Sequence, residues 1–219
     1  MIPLRDDIPS LRRPIFVYLI VIINILVFLY EMSLGENLRY FIWKYGILPV
    51  AITNGEQLHT LFTGMFLHGN FMHILGNMLY LWVFGDNVED IFGHFWFLIM
   101  YLLSGLFGSF LHIMKNPYSK IPMIGASGAI SGVLGAYLVL FPNARILTLI
   151  PIGFFLRFAL VPSFLFLGIW ILLQFLYNSL GIPGVAWSAH IGGFLVGFLM
   201  AIFFRRRKKR RIEYEVYDI

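Results

Sequence analysis

A serine and a histidine in this sequence each lie beside a stripe of small residues spaced four apart. Such stripes let two helices approach closely within a membrane, so the helices carrying Ser127 and His190 are predicted to pack face to face. A serine next to a neutral imidazole supports acyl transfer, because the histidine takes the hydroxyl proton and the alkoxide attacks a carbonyl. The stripes are Gly128, Gly132 and Ala136 beside the serine, and Ala189, Gly193 and Gly197 beside the histidine.

Two further polar residues have the spacing expected of groups that stabilise an oxyanion. His73 and Asn77 are four residues apart and therefore share one face of a helix. Their side-chain N–H groups, and the backbone N–H of Ser127 near the positive end of its helix, are suitable donors. We predict Ser127 as nucleophile, His190 as general base, and these three groups as the oxyanion site.

Other catalytic chemistries are excluded by what the sequence lacks. Every Asp and Glu falls outside the long uncharged segments, which predicts a Ser–His dyad without a third member and excludes an aspartyl intramembrane protease. None of the six histidines is followed by Glu, which excludes a zinc protease of the HExxH type. There is no cysteine, so thiol nucleophiles and Cys-bound metals are also excluded. We predict neither a cofactor nor a metal.

The composition is that of a membrane protein. Of 219 residues, 59% are hydrophobic and only 12% are charged, whereas roughly a quarter are charged in a soluble domain. The net charge of +5 arises largely from seven consecutive basic residues at positions 205–211. A basic block after an apolar segment anchors membrane topology more often than it binds nucleic acid, and no nucleic-acid partner is predicted.

The uncharged segments predict six membrane-spanning helices in an all-α fold. A spanning helix needs about twenty apolar residues. Residues 158–204 form 47 uncharged residues, or ~70 Å of helix, and must make two spans divided at residues 178–184 by glycine and proline. The other spans are predicted at residues 14–30, 69–85, 91–114 and 121–141. Between Arg145 and Arg157 the apolar run is short and contains Pro151 and Gly153, which predicts an interfacial loop.

Six spans place both termini on the same side of the membrane. That side holds twelve Lys and Arg residues and the opposite side four, which predicts a cell-membrane protein with both termini in the cytoplasm. The predicted regions are a short N-terminal segment (1–13), the six-helix domain (14–204) and a basic tail (205–219) attracted to anionic lipid. All four side chains of the predicted site then lie in the outer half of the membrane, with Ser127 about four and His190 about five residues into their helices.

These motifs resemble those of the rhomboid family of intramembrane serine proteases. Residues 125–128 fit its GxSG nucleophile motif and residues 189–193 its AHxGG motif, while His68, His73 and Asn77 fit the pattern HxxxxHxxxN. The resemblance covers residues 54–204. One departure is the sequence Leu-His-Thr-Leu at residues 58–61, where many members carry a Trp-Arg pair; the docking of the first outer loop is therefore left open.

The resemblance implies a six-helix bundle of the simplest bacterial and archaeal type and the same roles for the four site residues. It also implies cleavage of single-span membrane proteins near the outer face, without a cofactor. The fifth helix, around Trp170 and Gln174, would gate lateral entry of the substrate.

Two other functions remain open from the sequence alone. An inactive rhomboid-like protein would bind transmembrane helices without cutting them, although such relatives generally lack the serine or the histidine. A small transporter or channel would be expected to carry charged residues within its spans.

His68 is predicted either to line the mouth of the site or to cap the second span, and Asn24 and Gln174 are candidate hydrogen-bond partners between helices. The sequence predicts neither the physiological substrate nor the oligomeric state.

Overall fold

The computed structural model describes residues 1–153 and 155–217, including all side chains except those of Ile152 and residues 206–217. Most of this part of the chain is helical, as predicted. The helices are α1 (Ile15–Ser33), α2 (Leu38–Tyr45), α3 (Pro49–Thr53), α4 (Thr60–Thr63), α5 (Phe71–Phe92), α6 (His94–Lys115), α7 (Ser127–Leu140), α8 (Ser163–Ser179) and α9 (Trp187–Tyr217).

Six helices in the described part of the chain have at least 14 residues. Three of them are long and apolar enough to cross a membrane, namely α1, α6 and the Trp187–Arg205 part of α9. Helices α7 and α8 are apolar but have 14 and 17 residues, or ~21 and ~26 Å, against a hydrocarbon core of about 30 Å. The count of six spans therefore stays a prediction.

Helix α5 is longer than the sequence predicts. The acidic residues after Gly85 predict that the helix ends there, but α5 continues to Phe92. The continuation is possible because Glu89 is buried with hydrogen-bond partners for its carboxylate. Its two carboxylate oxygens accept the backbone N–H groups of Phe16 and Val17 at 2.9 Å each, and His94 Nδ1 lies 2.6 Å from Oε1. The first-turn N–H groups of a helix have no acceptor within it, so Glu89 of α5 caps the N-terminus of α1.

Helix α7 begins later than predicted, at Ser127 and not at residue 121. The preceding residues are extended, since the backbones of Met123 and Ile47 exchange hydrogen bonds of 2.8 and 2.9 Å. Gly125 then has a φ of +116°, which ends any helix that would include it. Ser127 is therefore the first residue of its helix, and His190 is the fourth residue of α9.

The segment predicted as an interfacial loop is instead a β-hairpin. Strand β2 (Arg145–Ile152) pairs antiparallel with β3 (Phe155–Pro162), and β1 (Ile2–Arg5) pairs with the other edge of β2. The β-branched residues Ile146, Thr148 and Ile150 favour a strand here. The sheet joins the N-terminal segment to the α7–α8 connection, so both lie at the same end of the bundle, as the charge distribution predicts.

The N-terminal segment is bound to this end of the bundle. Tyr137 Oη donates a hydrogen bond to Asp6, and the Arg145 backbone N–H donates to Asp7 Oδ1 at 2.8 Å. Burial raises the pKa of the Asp6 carboxyl to about 6. At the opposite terminus, α9 continues through residue 217, so the backbone has no break at the predicted tail boundary of 205; Asp218 and Ile219 lie outside the described residues.

Helices α7 and α9 pack backbone to backbone through the two glycine stripes. A β-carbon on Gly193 would lie 1.8 Å from the Gly128 carbonyl oxygen, and one on Gly197 would lie 1.7 Å from the Gly132 carbonyl oxygen. No side chain fits in such a space, so the predicted face-to-face packing of these helices is confirmed. This packing sets the separation of Ser127 and His190.

Candidate active site

Ser127 and His190 are in hydrogen-bond contact. The serine Oγ lies 2.8 Å from the histidine Nε2, a distance typical of a hydroxyl donating to an imidazole nitrogen. The histidine is 9% exposed. The contact joins the first residue of α7 to the first turn of α9, and it places an imidazole nitrogen within reach of the hydroxyl proton.

The second ring nitrogen of His190 faces helix α8. Nδ1 lies 2.8 Å from Gln174 Oε1, and the amide Nε2 of the same glutamine donates to the Trp170 carbonyl at 3.1 Å. The sequence marks Gln174 as a candidate partner between helices, and the structure identifies His190 as that partner. The hydrogen bonds of the His190 ring in the described part of the chain are to Ser127 and Gln174, and neither partner is a carboxylate.

The structure brings His73 and Asn77 to the loop that precedes Ser127. A β-carbon on Gly125 would lie 2.7 Å from His73 Nε2 and 3.7 Å from Asn77 Nδ2. Gly125 also has a positive φ, and its N–H donates to the Gly64 carbonyl at 2.9 Å. Glycine is therefore needed at this position for both its conformation and its lack of a side chain, and the two predicted oxyanion donors lie beside the nucleophile loop.

His68 forms a hydrogen bond with the side chain of Asn77. Its Nδ1 lies 3.2 Å from the Phe66 carbonyl oxygen, which can only accept, so the Nδ1 carries the proton and Nε2 accepts from Asn77 Nδ2 at 2.9 Å. The backbone N–H of His68 donates to Glu31. Both predicted roles for His68 are wrong, because the residue is 1% exposed and α5 is capped by Asn70, whose side chain accepts from the His73 N–H.

A cavity of about 1000 Å³ opens over these groups and is lined by His73, Asn77, Ser127, His190 and Gln174, among others. Its volume is at the upper end of the range for ligand pockets. No group of three or more His, Asp and Glu side chains within the described residues could hold a metal ion.

A family model described as the Rhomboid domain matches residues 55–207, which include every residue of this site. The chain belongs to the rhomboid family. The rhomboid match and the apolar helices together establish a membrane-embedded protein.

Several curated rhomboid proteins are similar to the chain. It is 32% identical over 190 residues to Rhomboid protease GluP of Bacillus subtilis (strain 168). The aligned region covers 86% of this chain and 34% of that protein. It is 32% identical over 171 residues to RHOMBOID-like protein 5 of Arabidopsis thaliana, with coverages of 78% and 51%. Identity to Rhomboid protein 1, mitochondrial, of Saccharomyces cerevisiae (strain ATCC 204508 / S288c) is 28% over 188 residues, with coverages of 79% and 50%. The chain thus spans between about a third and a half of the length of these relatives.

Proposed function

We propose that this rhomboid protein is a serine-type intramembrane endopeptidase that uses Ser127 as nucleophile and His190 as general base. The observation that carries the proposal is the 2.8 Å contact between Ser127 Oγ and His190 Nε2 on the wall of a large cavity. A serine and a histidine held this way by two tightly packed helices are suited to acyl transfer.

The reaction proceeds in two stages. In acylation, His190 Nε2 takes the Ser127 proton while Oγ attacks the scissile carbonyl, and the imidazolium then gives that proton to the leaving amine. In deacylation, a water molecule loses a proton to His190 and attacks the acyl ester. The proton returns to Ser127 as the second product leaves.

Both tetrahedral intermediates carry a negative oxygen, and we assign its stabilisation to the groups around Gly125, because His73 and Asn77 lie close to this residue. Asn77 has two amide N–H groups, of which one bonds His68 and the other is available to the cavity. His73 and the backbone N–H of Ser127, at the positive end of α7, complete the set of donors.

Asn77→Ala is expected to lower the kcat of peptide cleavage about 10²- to 10³-fold with little change in KM, because the lost donor acts mainly on the oxyanion. Steady-state kinetics on a reporter substrate would measure this. Asn37→Ala is the matched control, since Asn37 is exposed, immediately precedes α2 and makes no side-chain capping hydrogen bond. A kcat within threefold of the parent value would remove Asn77 from the oxyanion site.

The proposed substrates are single-span membrane proteins, cut near the outer membrane face. The substrate class is what the resemblance to rhomboid proteases implies. The outer-face position rests on six spans with both termini in the cytoplasm, a topology supported by the distribution of Lys and Arg and by the sheet that joins residues 2–5 to residues 145–162. We further propose that the basic tail at residues 205–219 contacts anionic lipid.

Reconstitution tests the proposed function. The purified full chain would be placed in phosphatidylcholine and phosphatidylglycerol vesicles with a single-span reporter that carries small residues and a glycine near the outer end of its helix. We expect two fragments whose masses locate one cleaved bond near that end. An intact reporter, together with a folded protein that does not react with a fluorophosphonate, would instead favour a rhomboid-like protein that binds helices without cutting them.

A further inference from the structure

The catalytic base of the proposed reaction contacts a third helix through one residue. Gln174 lies on α8 and is 5% exposed, and its side-chain oxygen is 2.8 Å from His190 Nδ1. Its nitrogen donates to the Trp170 carbonyl one turn earlier in the same helix, at 3.1 Å. Both ends of the Gln174 amide are therefore engaged, and the amide has one orientation.

This orientation determines which nitrogen of His190 carries the proton. Because the Gln174 nitrogen is committed to a carbonyl, the atom facing Nδ1 is an oxygen, which only accepts. Nδ1 therefore holds the hydrogen, and the lone pair of Nε2 faces Ser127 Oγ, as a general base requires. We propose that Gln174 is the positioning residue of the active site, which fixes the tautomer and ring orientation of His190; the inference rests on the proposed function.

Packing alone does not fix the His190 ring in this way. The ring lies 6.0 Å from the Trp170 ring at an interplanar angle of 30°, and 6.0 Å from the Trp187 ring at 90°. These aromatic contacts confine the plane of the imidazole, but they fit equally well when the ring is turned over by half a rotation. The hydrogen bond from Nδ1 to Gln174 distinguishes the two orientations.

A neutral amide suits this task in a membrane. A carboxylate would also accept from Nδ1, but burying its charge away from water costs considerably more than burying an amide. Gln174 orients the base without adding a charge to an uncharged segment of the chain. The orientation also depends on α8, because Ser127 and His190 lie on α7 and α9, so a displacement of α8 removes the acceptor and leaves the base unaligned.

Three variants test the inference in the purified full chain. Gln174→Leu removes the acceptor and is expected to lower the rate of fluorophosphonate labelling about 10- to 100-fold, the range of one hydrogen bond to an ionised partner. On the reporter, kcat should fall while KM stays unchanged. Gln174→Glu restores an acceptor oxygen but buries an acid, so it should label more slowly than the parent and at least about threefold faster than Gln174→Leu. Asn24→Leu is the matched control, since that buried amide donates to Ile20 within its own helix, and labelling should be unchanged.

The outcomes separate this inference from the proposed function. If Gln174→Leu labels within twofold of a reactive parent, the positioning role is wrong and the proposed function stands. If the parent itself is folded and unlabelled, both fail. Should Gln174→Leu melt well below the parent, Gln174→Met, of nearly equal length and without a strong acceptor, provides the same comparison.

Discussion

Ser127→Ala is expected to abolish peptide cleavage while leaving the fold intact. Loss of the nucleophile in a serine protease lowers kcat by about 10⁴-fold or more, because the covalent pathway is lost. The alanine removes one oxygen and leaves the Gly128–Gly193 and Gly132–Gly197 backbone contacts in place, so the melting temperature should change little. Reporter cleavage and fluorophosphonate labelling, measured beside a thermal melt, would check both parts.

A useful control for this variant lies one turn further along the same helix. Ser131 donates to the Ser127 carbonyl at 2.6 Å, so Ser131→Ala removes a hydroxyl from α7 without removing the nucleophile. It should retain labelling. Cleavage by Ser127→Ala at the parent rate would show that another residue attacks the peptide bond and would overturn the assignment.

Gly197→Ala is expected to damage both the fold and the site. Its β-carbon would lie 1.7 Å from the Gly132 carbonyl oxygen and 2.4 Å from the carbonyl carbon, and backbone atoms cannot rotate away as a side chain can. Forced separation of the helices costs about 3 kcal/mol, or roughly 10 °C in melting temperature. Because α7 and α9 carry Ser127 and His190, the rate of labelling should be lower than that of the parent even at temperatures where the variant is still folded.

Gly168→Ala is the matched control for this variant. It makes the same substitution within α8, where a β-carbon meets no atom within 4 Å. We expect its melting temperature to equal or exceed that of the parent, since alanine favours helix over glycine. Equal melting temperatures for Gly197→Ala and the parent would contradict the close packing of α7 and α9.

The contact between Ser127 and His190 could be predicted from the sequence because the spacing of small residues near each of them indicates which helix faces pack together. Small residues four apart identify the face of each helix that packs closely, and each stripe starts beside one of the two residues. Gln174 could not be assigned to His190 in this way. No period within α8 tells which neighbouring helix its polar face meets, so the partner emerges only from the three-dimensional arrangement.

The errors at helix ends share a physical cause. Acidic residues after Gly85 predict a loop when each is assumed to need water, but Glu89 satisfies both of its oxygens with backbone N–H groups of another helix. Pro151 and Gly153 predict a loop between Arg145 and Arg157, but Gly153 lies in the turn between the two strands and Pro151 within β2, so neither prevents β2 and β3 from pairing. The pairing of β1 with the other edge of β2 is distant in sequence and leaves no periodic signal.

The capping of α1 by Glu89 has a consequence for biosynthesis. The first-turn N–H groups of α1 obtain their acceptors from a residue 72 or 73 positions further along the chain. Until Glu89 has been added to the growing chain, those N–H groups have no acceptor within α1 and need water or another group in its place. The capping of α1 is therefore completed only when α5, the second long helix to be synthesised, is in position.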